Sequence, residues 1–89
     1  MADFDLPPEA ILNYIERRKL DLKNCQQALI ENDFESLSKI AHQIKGNAVS
    51  FGFEDLGNIA IDMEHFALKK DADGLISVMD RFKNFIASH

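Results

Sequence analysis

Eighty-nine residues with a formal net charge of -5 and 46% apolar side chains describe one domain with one core, too short for a nucleotide-binding lobe beside a substrate lobe. The acidic balance argues against nucleic acid as a partner. No apolar run approaches the roughly 18–20 residues that cross a bilayer, and nothing reads as a cleavable leader. The single cysteine, Cys25, cannot pair within the chain, which fits a reducing cytoplasm. Its place in an apolar stripe makes it a buried structural thiol.

After a tail over residues 1–6, Pro7 and Pro8 mark a helix start, because proline is tolerated in a first turn. The first helix is expected over about 8–31, with Ile11, Ile15, Leu22, Cys25 and Leu29 on one face. Arg18 falls near that stripe and Leu20 off it. The second, over 33–51, is capped by Asp33, or by Asn32 with Glu35 three positions on. It turns Phe34, Leu37, Ala41, Ile44 and Ala48 inward, and Gly52 suits its stop.

The third helix, over 53–70, buries Leu56, Ile59, Ala60, Met63 and Ala67 and ends near Lys69 and Lys70, whose charge complements a helix C-terminus. Asp71 caps a fourth, over 72–88, with Leu75, Val78, Met79, Phe82, Phe85 and Ile86 as its apolar face. The segments Asn32–Leu37 and Lys70–Leu75 each place an aspartate four residues before a leucine, which reads as shared helix-start chemistry. Strand signals are absent. The expectation is an all-α antiparallel up-and-down four-helix bundle.

His42 is the residue that carries chemistry. At about 100° per residue, it lies roughly a quarter turn from Ala41 and outside the sector of the core positions, so it should be exposed. Histidine is the side chain that offers a neutral nitrogen nucleophile near pH 7. Lys45, one turn on, brings positive charge to phosphate oxygens. Gly46, which costs about 1 kcal/mol relative to alanine in mid-helix, calls for a local reason such as close approach of another molecule. Ser38 and Val49 share this strip, and Gly57, Ile61, Glu64 and Leu68 lie beside the buried stripe of the third helix. On spacing alone Ile61 and Leu68 either widen the core or, with the other four, extend a partly apolar docking surface beside His42.

The stretch Ala41–Leu56, with His42, Lys45, Gly46, Gly52 and Leu56 at fixed distances, resembles the signature of histidine-containing phosphotransfer (HPt) domains. The likeness continues through Asn58-Ile59-Ala60 and Met63-Glu64, and upstream through Tyr14–Arg18 and Ala28–Phe34. It implies a phosphoryl carrier in a two-component phosphorelay, neither a kinase nor a nucleotide binder. His42 would accept the group from a receiver-domain aspartyl phosphate and pass it to another receiver aspartate, with Lys45 and Gly46 shaping its surroundings. The implied partners are response-regulator receiver domains and a hybrid histidine kinase; the protein would be a cytoplasmic monomer. It would hold no cofactor or metal of its own, Mg2+ being expected on the receiver. Asn47 stands where many members carry a small residue. Glu35 or Ser38 is placed to bias the imidazole tautomer.

Three other readings are weaker. A metal site of His42, His65 and Glu64 suffers because adjacent helical residues point about 100° apart. No serine or cysteine nucleophile with a partner supports a hydrolase. The remaining alternative is a non-catalytic helical adaptor that binds receiver or kinase domains. His65 and His89 read as solvated surface and chain terminus.

Overall fold

The computed structural model describes residues 6–89; residues 1–5, most of the expected tail, lie outside the described residues. Four α-helices follow in order: α1 (Pro8–Ile30), α2 (Phe34–Ala48), α3 (Glu54–Leu68) and α4 (Ala72–Ala87), with a 3-10 turn, Val49–Phe51, after α2. No strand occurs among the described residues, and none of their helices is long and apolar enough to cross a membrane. α1 packs on α2 and α4, and α3 packs on α2 and α4, so the four close a ring.

The helix starts follow from side-chain chemistry. Pro8 opens α1 at its first position, where a missing N–H costs nothing. Asp33 Oδ1 accepts from the Ser36 backbone N–H at 3.1 Å, and Asp71 Oδ1 accepts from Gly74 N–H at 3.0 Å. Each such cap is worth about 1 kcal/mol. The choice between Asn32 and Asp33 is thus settled for Asp33.

Asn32 instead ends α1, adopting a left-handed φ of 57°. The N–H of Asp33 reaches back to the Ala28 carbonyl at 2.8 Å, and that of Asn32 to Leu29 at 3.1 Å. The same double closure ends the other two connections, at Gly52 (φ 86°) and Lys70 (φ 56°). It satisfies carbonyls that a helix end otherwise strands. The second helix is accordingly shorter than the expected 33–51, because its last three residues tighten into the 3-10 turn before Gly52.

The core takes Tyr14, Ile15, Leu22, Cys25 and Ala28 from α1, Leu37, Ala41, Ile44 and Ala48 from α2, and Leu56, Ile59, Ala60, Met63 and Ala67 from α3. Leu75, Val78, Met79, Phe82 and Phe85 complete it from α4. Ile11 and Leu29, expected inside, are only half-buried, and Leu20 faces solvent. Aromatic rings close one end. Tyr14 stacks on Phe51 at 4.2 Å between centroids, and Phe53 meets Phe85 edge-on at 5.5 Å.

Arg18 is buried, and its partners explain how. Its guanidinium lies 4.5 Å over the Tyr14 ring, its Nε stands 2.7 Å from Asp21 Oδ2, and Nη1 donates to Asn47 Oδ1 at 3.4 Å. The Tyr14 hydroxyl donates to the same Asn47 oxygen at 2.5 Å. Burial pushes the Tyr14 phenol above its ordinary range, against the opposing pull of Arg18. A buried charge needs such company. The Asn47 amide therefore joins α1 to the C-terminal half of α2.

Gly57 corrects an expectation. It is buried, and a Cβ there would stand 3.3 Å from Val49 Cγ2. It is a close-packing residue between α3 and the turn after α2, not part of an exposed docking strip. Gly74 is tighter still: a Cβ would lie 2.5 Å from the Phe66 ring. Gly74→Ala should therefore lower stability by about 1–2 kcal/mol through overpacking, although helix propensity alone favours alanine. Urea denaturation monitored by circular dichroism measures the sign.

Candidate functional site

α2 places its core residues against the bundle and leaves His42 on the outside, with 69% of the imidazole side chain exposed. The ring is held from across the helix pair. His42 Nδ1 lies 3.0 Å from Glu64 Oε2, and Lys45 Nζ donates to the other oxygen, Glu64 Oε1, at 2.7 Å. Glu64 stands on α3, and its side chain is only 19% exposed. One carboxylate thus spans the imidazole and the ammonium, each with its own oxygen.

The Lys45 hydrogen bond holds the Glu64 carboxyl below its ordinary range; partial burial opposes this and the His42 contact adds to it. Glu64 is therefore ionised at neutral pH. An ionised carboxylate only accepts hydrogen bonds, so the ring nitrogen facing it, Nδ1, is the protonated one. In the neutral imidazole the lone pair then lies on Nε2, and His42 makes no hydrogen bond through Nε2 among the described residues.

The two residues expected to bias the tautomer do something else. Ser38 Oγ donates to the Glu35 carbonyl of its own helix at 3.0 Å. The Glu35 carboxylate faces Lys39 at 3.5 Å, both side chains well exposed. Glu64 takes the orienting position in their place. Phase along a single helix could not reveal this, because it depends on the register between two helices. The available signal was that Glu64 occupies the shoulder of the α3 stripe, on the side toward His42.

Gly46 sits in open space: a Cβ built there meets nothing within 4 Å. No intramolecular contact calls for glycine at this position, so clearance over the surface is its physical effect. Val49, Ile61 and Leu68 are exposed by 59%, 50% and 69%. Ile61 and Leu68 share the α3 face of Glu64, being three residues before and four after it. A shallow depression at the imidazole is lined by Ser38, Lys39, His42, Gln43 and Glu64.

The remaining candidates lie away from this arrangement. Among the described residues no three His, Cys, Asp or Glu side chains converge as a metal site would need. His65 packs its ring against Phe66 at 5.6 Å. His89 Nδ1 lies 2.8 Å from the Phe85 carbonyl, and its ring abuts Phe53 and Phe85. Cys25 is fully buried with Sγ 3.8 Å from Met63 Sδ, and burial pushes its thiol up to about 12.

Residues 11–88 match the family model of the Hpt domain. No curated protein gives a significant match, and no solved structure does.

A carboxyl whose folded-state pKa is depressed adds stability above its unfolded pKa, and loses it as pH falls through the folded value. Glu64→Gln should therefore be less stable than the wild type at pH 7. The difference should shrink once pH drops below about 4.3, the ordinary glutamate value. Urea midpoints of the two proteins between pH 7 and pH 3 measure it.

Proposed function

The chain belongs to the Hpt domain family, whose members carry phosphoryl groups in two-component systems and work with receiver domains and histidine kinases, and we propose that His42 is the residue that carries the group here. The observation that supports this most directly is the clamp on Nδ1. A carrier imidazole must present one nitrogen lone pair to solvent and keep the other nitrogen protonated, and Glu64 at 3.0 Å from Nδ1 favours that tautomer.

In the forward step, the Nε2 lone pair forms a bond to phosphorus while the bond from phosphorus to the receiver's aspartyl oxygen breaks. The bonding electrons leave with the aspartate, restoring its carboxylate. The ring, now substituted at Nε2 and still protonated at Nδ1, carries positive charge, which the Glu64 carboxylate offsets. Reversal onto another receiver returns the lone pair to Nε2. No proton has to leave the imidazole in either direction. The transition state is loose and anionic, so positioning and charge dominate.

Lys45 contributes through Glu64: its ammonium holds one carboxylate oxygen at 2.7 Å, which steadies the oxygen that faces the ring. Gly46 keeps the surface beside the imidazole low. Ser38, Val49, Ile61 and Leu68 form the rim on which a receiver would seat, apolar on the α3 side. Mg2+ for the phosphoryl oxygens belongs to the receiver. The scaffold fits an antiparallel up-and-down bundle, a reading supported by the short connections and the ring of packed helix pairs. A cytoplasmic monomer is in keeping with the lone buried thiol.

A phosphorylated receiver domain should label the wild type with acid-labile, alkali-stable phosphate. His42→Gln should abolish that label while circular dichroism retains the helical signal; a label that persists moves the site elsewhere. A pure adaptor would bind receivers and take no label at all. Gly46→Ala should raise stability by about 0.5–1 kcal/mol, and Gly46→Leu should slow transfer by obstructing approach, both measurable on the same preparations by urea denaturation and single-turnover transfer.

A further inference from the structure

On a helix, residues three before and three after a given position lie about 60° to either side of it. Lys39 and Lys45 flank His42 in this way. Their situations differ. Lys45 is on the α3 side and is engaged by Glu64 Oε1 at 2.7 Å. Lys39 is on the opposite side, 71% exposed, and its nearest charge is the equally exposed Glu35 at 3.5 Å. Exposed pairs of that kind contribute little, so Lys39 is free to move.

The imidazole has the same two sides. With Nδ1 turned to Glu64, the opposite edge of the ring, which carries Nε2, faces away from α3. A helical side chain also leans over the turn N-terminal to its own Cα, which for His42 is the turn of Ser38 and Lys39. Both line the depression at the imidazole, together with Gln43. We propose that Lys39 is a cation that contacts the phosphoryl oxygens once the group is on Nε2 of His42. This deepens the reading of His42 as carrier and rests on it.

The charge balance of the surface supports the exchange. Around the ring stand Lys45 and Glu64, which neutralise each other, and Glu35 and Lys39, which form a loose pair. A dianionic phosphoryl group arriving next to Lys39 competes with a single exposed carboxylate. Lys39 then leaves Glu35 and closes on the phosphoryl oxygens. The interaction exists only while the group is on the ring, so Lys39 acts on the phosphorylated state and not on the tautomer.

Phosphoramidate provides a test without any partner protein: its P–N bond breaks, ammonia leaves, and Nε2 takes the phosphoryl group. The readouts are the rate of phosphohistidine formation and the pH midpoint of its 31P resonance. Lys39→Met should slow formation about two- to fivefold and raise the midpoint by about half a pH unit, since a lost cation disfavours the dianion. Lys39→Arg should restore both. Glu35→Gln, which releases Lys39, should lower the midpoint. Lys83→Met on α4, removing the same charge elsewhere, should leave the midpoint unchanged. A Lys39→Met titration that overlays the wild type, or a Lys83→Met effect of equal size, overturns the assignment of Lys39. Failure of the wild type to form any phosphohistidine at His42 overturns the carrier reading as well.

Discussion

A single carboxylate, Glu64 on α3, determines what His42 on α2 presents to the outside. Its two oxygens serve two donors, the imidazole at 3.0 Å and the Lys45 ammonium at 2.7 Å, and neither can shift without disturbing the other. The arrangement is a constraint on register as much as on charge. A slide of α3 by one residue would carry Glu64 about 1.5 Å along the axis and turn it by about 100°, out of reach of the ring. The packing between α2 and α3 therefore has to be close and unambiguous. That pair is the most extensively packed in the bundle; Ala41 and Ala48 on α2 and Gly57 and Ala60 on α3 are all buried, and a Cβ on Gly57 would stand 3.9 Å from that of Ala48. Small side chains let two backbones approach, and a close approach leaves few alternative registers. The core composition and the site geometry are one requirement seen from two sides.

Much of this was legible in the residue pattern because helical periodicity is a local property. The apolar steps through α2, α3 and α4 identify their buried faces, and the same phase puts His42 outside. Proline at the start of α1 announces it through a fixed φ and a missing N–H, and the aspartates at 33 and 71 announce helix starts through hydrogen bonds that span only three residues. The stops were half-readable. Gly52 signals its left-handed turn, whereas Asn32 and Lys70 adopt the same backbone without glycine, and Lys70 carries no intrinsic signal for it. What the pattern did not give was the specific contacts that depend on two elements at once. Glu64 on His42 and Asn47 under Tyr14 and Arg18 join residues far apart in the chain, and Gly57 beneath Val49 depends on how the turn after α2 folds back on α3. Arg18 shows the limit well: a charge close to an apolar stripe is ambiguous until its partners on α1 and α2 are known.

The two flanks of α2 are held by different means. On the α1 side the Tyr14–Arg18–Asn47 cluster is partly buried and crowded by Phe51. Low-dielectric surroundings strengthen such contacts, which suits an anchor. On the α3 side the Glu64 bridge lies near water, with half of its partners exposed. It adds modestly to stability above the carboxyl's unfolded pKa, and its larger effect is on the direction of the ring. The helix is thus fixed from behind, and the imidazole is aimed from the side.

That division explains why a mid-helix glycine is tolerated beside the site. Gly46 weakens α2 locally, yet its immediate neighbour Asn47 ties the helix to α1, and Ala48 is buried in the core one position further. The backbone is restrained where its own propensity is poorest. An enclosed pocket would need walls, and walls would exclude the convex surface of another protein. A low, open platform with one aimed nitrogen asks little of its own chain beyond rigidity and correct tautomer. On the proposed reading, what this helical chain supplies to phosphoryl transfer is one imidazole, held still by Glu64 on Nδ1, with its lone pair outward.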